Sequence, residues 1–128
     1  MMKTILVDAV HAFVIKDKWI FQEMYQLLET YQNKKIILTG ANDEQMEMFW
    51  LNNMPYPVFT LKHNPEKSDP LYYTTFLQEH QLTPEEVIYF EHDETAVESA
   101  KSVGIISYFY DNEMKDLDSL KKFLDENL

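Results

Sequence analysis

Asp8 stands directly after the apolar run Ile5-Leu6-Val7, Thr39-Gly40 after Ile36-Ile37-Leu38, and Glu91-His92-Asp93 after Val87-Ile88-Tyr89-Phe90; Lys67 ends a short polar loop. A carboxylate, a hydroxyl, an ammonium and further acids could together hold a phosphoryl group and a hard cation such as Mg²⁺. In that chemistry Asp8 attacks phosphorus, Thr39 and Lys67 donate to the transferred oxygens, and Asp8, Glu91 and Asp93 hold the metal. Each residue also has a plain structural role open to it. An Asp at a strand end caps a turn, Thr-Gly is ordinary turn chemistry, Lys67 reads as a solvated lysine, and His92 as a hydrogen-bonded loop histidine. The set gains weight from its order along the chain. His11, His63 and His80 show no metal-ligand spacing, and Met46, Met48, Phe49 and Trp50 read as core.

Positioning these residues requires strands that end where they begin. Five β-rich runs lack polar alternation: Ile5 to Val7, Ile36 to Leu38, Val58-Phe59, Val87 to Phe90 and Ile105 to Phe109. That pattern predicts a parallel sheet buried on both faces. Helical spacing lies between them, in Ile20, Met24, Leu27, Leu28 and Tyr31, then Met46, Phe49, Trp50 and Asn53 or Met54, then Tyr73, Phe76, Leu77 and His80. Ala96, Val97, Ala100 and Val103 form a small-residue stripe, and Met114, Leu117, Leu120, Leu124 and Leu128 a last helix. Thr83-Pro84-Glu85-Glu86 is a capping-box start, Ser68-Asp69-Pro70 begins a helix, and Gly104 closes one. The loop His63 to Lys67 is the least ordered candidate. Residues 1–128 read as one domain, an α/β/α three-layer sandwich whose ligands sit beyond the carboxyl ends of the strands.

Composition narrows the partners. Eleven Lys plus Arg against 22 Asp plus Glu give a net charge of −11, which repels phosphate backbones and anionic lipid, so nucleic acid and membrane are not expected. With no cysteine there is no disulfide, thiolate nucleophile or zinc-thiolate site, which fits a cytoplasmic location. The first residues, Met1-Met2-Lys3-Thr4, run into a short strand without a long apolar region, so neither signal peptide nor membrane span is expected. Two glycines exclude a Gly-rich phosphate loop or dinucleotide fingerprint.

The chain resembles the haloacid dehalogenase superfamily of aspartate-nucleophile hydrolases over essentially its whole length. Lys67-Ser68-Asp69-Pro70, Leu82 to Phe90 and Val97 to Ile105 look like that family's third and fourth motif region, Ile5 to Asp8 like its first motif and Ile36 to Gly40 like its second. The resemblance implies a five-stranded parallel Rossmann-like sheet in the order 5-4-1-2-3. It also implies an Asp8 nucleophile, with Thr39 and Lys67 as its companions. Departures from the family pattern fall on chemistry. The acid expected two residues after Asp8 is Val10, followed by His11 and Ala12, and a valine transfers no proton. The main magnesium carboxylate falls on His92 and the second acid on Ala96, leaving Glu91 and Asp93 as flanking candidates and Mg²⁺ binding weak or absent. The family's dehalogenases also lack the second Asp and need no metal, but they draw their pocket from a cap domain. Short intervals between Asp8, Thr39 and Lys67 imply a capless core, which in the family goes with macromolecular substrates or with partner subunits that supply the lid.

The expectation is a phosphatase-type domain acting through an Asp8 phosphoaspartate, with impaired or lost turnover and a phosphorylated substrate or protein partner. A homo-oligomer in which a neighbouring chain completes the site stays open. The alternative is a non-catalytic binding module using the old phosphate pocket or an acidic, aromatic surface that includes Tyr108-Phe109-Tyr110. A phosphoacceptor receiver domain ranks lower, because it needs an acidic pair after the first strand and an Asp after the third.

Overall fold

A computed structural model describes residues 2–128. Five strands form one parallel sheet: β1 (Thr4–Asp8), β4 (Lys35–Thr39), β5 (Val58–Thr60), β6 (Val87–Glu91) and β7 (Ile106–Phe109). Side chains alternate between two apolar cores. Ile5, Val7, Ile37, Ile88 and Phe90 face one; Leu6, Ile36, Leu38, Val87 and Tyr89 face the other. The first core is covered by α1 (Gln22–Glu29) and α5 (Leu117–Asn127) through Met24, Leu28, Leu120 and Leu124. The second is covered by α3 (Pro70–His80) and α4 (Glu94–Ser102) through Tyr72, Tyr73, Phe76, Leu77 and Ala100. The result is the expected three-layer sandwich. No helix among the described residues is long and apolar enough to cross a membrane.

The spatial order is β5-β4-β1-β6-β7. These labels differ from the expected ones because two short strands, β2 (Val14–Ile15) and β3 (Trp19–Ile20), pair antiparallel ahead of β4. Counting only the five sheet strands, the order read from the β7 edge is 5-4-1-2-3. Two-residue strands are too short for alternation to show, so the hairpin escaped the sequence pattern, and Ile20 belongs to it rather than to α1. The expected helix through Met46, Phe49 and Trp50 also stops early. α2 spans only Asp43–Met48, Trp50 takes a left-handed conformation with φ 56°, and a separate 3₁₀ turn follows at Leu51–Asn53.

Burial on both faces holds for β1, β4 and β6 but not for β7, which is a sheet edge with Ile106 and Phe109 about 40% exposed. Of the aromatic run, Tyr110 is core and Tyr108 stacks on Phe123 at 5.1 Å between ring centroids, so only Phe109 offers an exposed ring. The helix signals stand. Thr83 and Glu86 form the capping box, Asp69 caps α3 ahead of Pro70, and Gly104, at φ 93°, ends α4. The loop at residues 63–67 is tied down: His63 bridges Gln45 of α2, at 2.5 Å, and Glu66, at 3.1 Å.

Candidate active site

β1 lies between β4 and β6, where the connections diverge to opposite halves of the sheet, and there the carboxyl ends of three strands meet. Asp8, Thr39 and Glu91 are the last residues of β1, β4 and β6. They line a cleft of about 300 Å³ together with His11, Lys67 and His92. Lys67 reaches it from the loop ahead of α3, which Ser99 of α4 braces by donating to the Ser68 carbonyl at 2.5 Å. The expected residues therefore converge.

Their contacts are more closed than the sequence suggests. Asp8 and Glu91 are each only 1% exposed, so two carboxylates sit out of water and demand compensation. The Lys67 ammonium supplies part of it, donating to Asp8 Oδ1 at 2.8 Å and to the Leu38 carbonyl at 3.2 Å, and forming an ion pair with Glu91 Oε1 at 2.7 Å. Two of its three hydrogens are thus placed in hydrogen bonds. His92 supplies the rest. Its Nδ1 donates to Asp8 Oδ2 and lies 3.1 Å from Glu91 Oε2, while its backbone N–H reaches Asp8 Oδ2 at 3.1 Å. Tyr89, two residues before Glu91 on the same face of β6, donates its hydroxyl to Glu91 Oε1, and the Asp93 N–H donates to Oε2 at 3.1 Å. Lys67 thus replaces its solvated reading with a role inside the site, and His92 is a bridge between two carboxylates.

Two other expected residues sit differently. Asp93 caps α4, accepting from the Thr95 N–H at 2.9 Å, and does not join Asp8, Glu91 and His92, whose ligand-type atoms lie within 4.8 Å of one another. It lines the same cleft, with its Oδ1 committed to that cap. Thr39 lines the cleft, its Oγ1 accepting from the Ala41 N–H at 3.2 Å and its carbonyl fixed by the Tyr72 hydroxyl at 2.7 Å. Tyr89, Tyr72 and Ser99 escaped the sequence reading, because their spacing matched apolar or small-residue core positions. Val10 lines the cleft and brings no acid to it. His11 follows at φ 75°, with its ring edge-on to His92 at 5.2 Å.

The ion pairs set the protonation states. Burial works to raise the Asp8 carboxyl, but the Lys67 charge and then the His92 contact hold it well below the usual carboxylate range. Burial opposes the charged form of Lys67, and Asp8 and Glu91 override it to keep the ammonium charged. Burial likewise works against charged His92, yet the bonds to Asp8 and Glu91 push its pKa up to about 10. Burial, then the charge on His92, pushes His11 below its ordinary value.

Stability should follow. His92 contributes stability that is complete below its ordinary 6.5 and lost as pH climbs through about 10; Asp8 contributes stability complete above 3.8 and lost only as pH falls through its lowered value. Between pH 7 and pH 10 wild-type protein should lose at least about 1 kcal/mol more than His92→Asn in urea unfolding, since each pKa unit is worth about 1.4 kcal/mol. Parallel pH curves would remove the His92 ion pair from the account.

Comparison with solved structures fixes the fold family. A HAD family enzyme from Bacteroides thetaiotaomicron, an aspartate-to-alanine mutant in complex with magnesium and inorganic phosphate, superposes with a TM-score of 0.69 at 11% identity, covering 85% of this chain and 94% of that one. An uncharacterized protein from Corynebacterium glutamicum gives 0.66 at 10% identity over 98% and 96%. A haloacid dehalogenase-like protein of unknown function from Agrobacterium tumefaciens gives 0.53 at 12% identity over 83% and 61%. No protein-family model matches the chain, and no curated protein matches it in sequence. The chain has the haloacid-dehalogenase-like fold.

Magnesium, which that fold implies, finds an acidic cluster here but not a free donor set. Mg²⁺ needs near-octahedral oxygen ligands at 2.0–2.1 Å. All four oxygens of Asp8 and Glu91 already face Lys67 or His92. The residues present do not fit the ion.

Proposed function

We propose that this chain is a phosphatase-type domain of the aspartate-nucleophile hydrolases, with Asp8, Thr39 and Lys67 in the catalytic positions and with turnover impaired or lost. The convergence of Asp8, Thr39 and Lys67 in one cleft at the strand ends supports the lineage. Hydrolysis of a phosphomonoester by Asp8 forms one Oδ–P bond and breaks the bond from phosphorus to the leaving oxygen. That oxygen needs a proton, and the water that later cleaves the phosphoaspartate must lose one. Val10 can do neither. Thr39 is free to donate its hydroxyl hydrogen to a phosphoryl oxygen, since its Oγ1 is an acceptor in its contact with Ala41. Lys67 keeps Asp8 ionised, with two of its hydrogens already given to Asp8 and the Leu38 carbonyl.

The second reading, a binding module that keeps the pocket without chemistry, is favoured by one observation: both Asp8 oxygens are already paired. An aryl-phosphate assay separates impaired turnover from a binding module without chemistry. The first expects a slow turnover, at least about 10²-fold below an ordinary enzyme rate of roughly 10 s⁻¹, that disappears in Asp8→Asn. The second expects none above the Asp8→Asn background. Enzyme-like, Asp8-dependent turnover would contradict both.

A further inference from the structure

We propose that His92 occupies the place of the divalent cation, so that Asp8, Glu91, Lys67 and His92 form a closed, metal-free cluster that takes no magnesium. The inference deepens the reading of the chain as an impaired phosphatase-type domain, and it is carried by the contacts of four oxygens. Asp8 Oδ1 and Glu91 Oε1 both face Lys67 Nζ, at 2.8 and 2.7 Å. Asp8 Oδ2 and Glu91 Oε2 both face His92 Nδ1. Each cation therefore straddles one oxygen of each acid, and His92 Nδ1 stands where an ion bridging the second pair would have to stand.

Charge and donor count agree with this geometry. Two carboxylates balance one ammonium and one imidazolium, so an added Mg²⁺ would enter a balanced cluster within reach of two positive groups. Three of the four remaining lone pairs are used as well, by the Tyr89 hydroxyl and the backbone N–H groups of His92 and Asp93. Among the described residues no buried side-chain nitrogen or oxygen lacks a partner, so no ligand position is left waiting. His92 cannot simply swing aside, because its departure leaves two almost fully buried carboxylates sharing one lysine.

The test is calorimetric titration of Mg²⁺ into EDTA-treated protein, with thermal melting in EDTA and in 10 mM MgCl₂ against an ionic-strength control. Wild type should show no saturable heat and an unchanged midpoint. His92→Asn, whose side-chain N–H can stand in for Nδ1–H, should stay equally blind. His92→Ala and His92→Asp open the position, and each should bind Mg²⁺ at least about tenfold more tightly than wild type and melt higher in its presence. Saturable wild-type binding below about 1 mM that is lost in Asp8→Asn would overturn the proposal. So would folded His92→Ala and His92→Asp proteins as blind as wild type. If neither variant folds, the wild-type titration decides alone: silence supports the cluster and Asp8-dependent binding overturns it. The readout is independent of turnover. A wild type that is silent toward Mg²⁺ yet hydrolyses phosphate esters at enzyme-like rates would sink the impaired-phosphatase reading and leave the metal-free cluster standing.

Discussion

Val10→Asp combined with His92→Asp should raise Asp8-dependent aryl-phosphatase turnover in millimolar Mg²⁺ by about 10²–10⁴-fold, the usual worth of a positioned general acid–base, with each single change gaining less than about tenfold. The two deficits are serial. Val10→Asp alone places a carboxyl in the cleft while His92 still holds Asp8 Oδ2, so the nucleophile stays paired. His92→Asp alone frees that oxygen and offers a cation site, but the leaving group then departs without a proton. Groups that act as a unit are grossly non-additive, and the double variant should exceed the product of the singles. Adding Asp8→Asn should return the rate to background. A folded but inert double variant would mean that the cleft has diverged beyond these two positions, and the binding-module reading would then account better for the chain.

Lys67→Met should cost about 3–5 kcal/mol of stability at pH 7, the largest loss expected from any single charge in this protein. The substitution keeps most of the side-chain volume and removes only the ammonium. Asp8 and Glu91 then share His92 alone, and one carboxylate is left buried without a counter-charge. Protonating a carboxyl relieves that state, so the deficit should shrink as pH falls toward 4, opposite to ordinary acid destabilisation. The control is Lys121→Met, which breaks the exposed i,i+4 pair with Asp125 and should cost under about 0.5 kcal/mol. Urea unfolding of the three proteins checks both figures, and a Lys67→Met loss no larger than the control would refute the buried pairing.

How much of this was legible in the sequence depends on the range of the interaction. Local signals carried well: Thr83-Pro84-Glu85-Glu86, Asp69-Pro70 and Gly104 each specify their own backbone within a few residues, and the runs of β1, β4 and β6 are apolar because both faces are covered. The hairpin at Val14 to Ile20 did not show, since each arm is two residues long and Asp17 and Trp19 reverse the chain through left-handed conformations that no local pattern announces. Trp50 broke a helix for the same reason. At the site, residue types and order located Asp8, Thr39, Lys67 and Glu91, but not how they meet. Asp8 reaches Lys67 across 59 positions and His92 across 84. Counting along the family pattern marked His92 as a missing acid. Only the folded contacts show that the same ring bridges Asp8 and Glu91, and that Tyr89, which reads as core, donates its hydroxyl to Glu91.

The placement of β1 in mid-sheet also orders events during synthesis. Its partner β4 follows within about thirty residues, and Lys67 emerges soon after β5, so half of the sheet and one of the two cations can assemble while the rest of the chain is still being made. The other edge of β1 pairs with β6, and until Glu91 has left the ribosome that edge, with Leu6 and Val7, is uncovered and able to pair with a foreign strand. Arrival of β6 delivers Glu91 and His92 together, covering the open edge of β1 and balancing Asp8 and Lys67 in one step. The ionic cluster therefore works as a latch on the last half of folding, and a nascent chain stalled before it closes is the form most exposed to aggregation and to proteases.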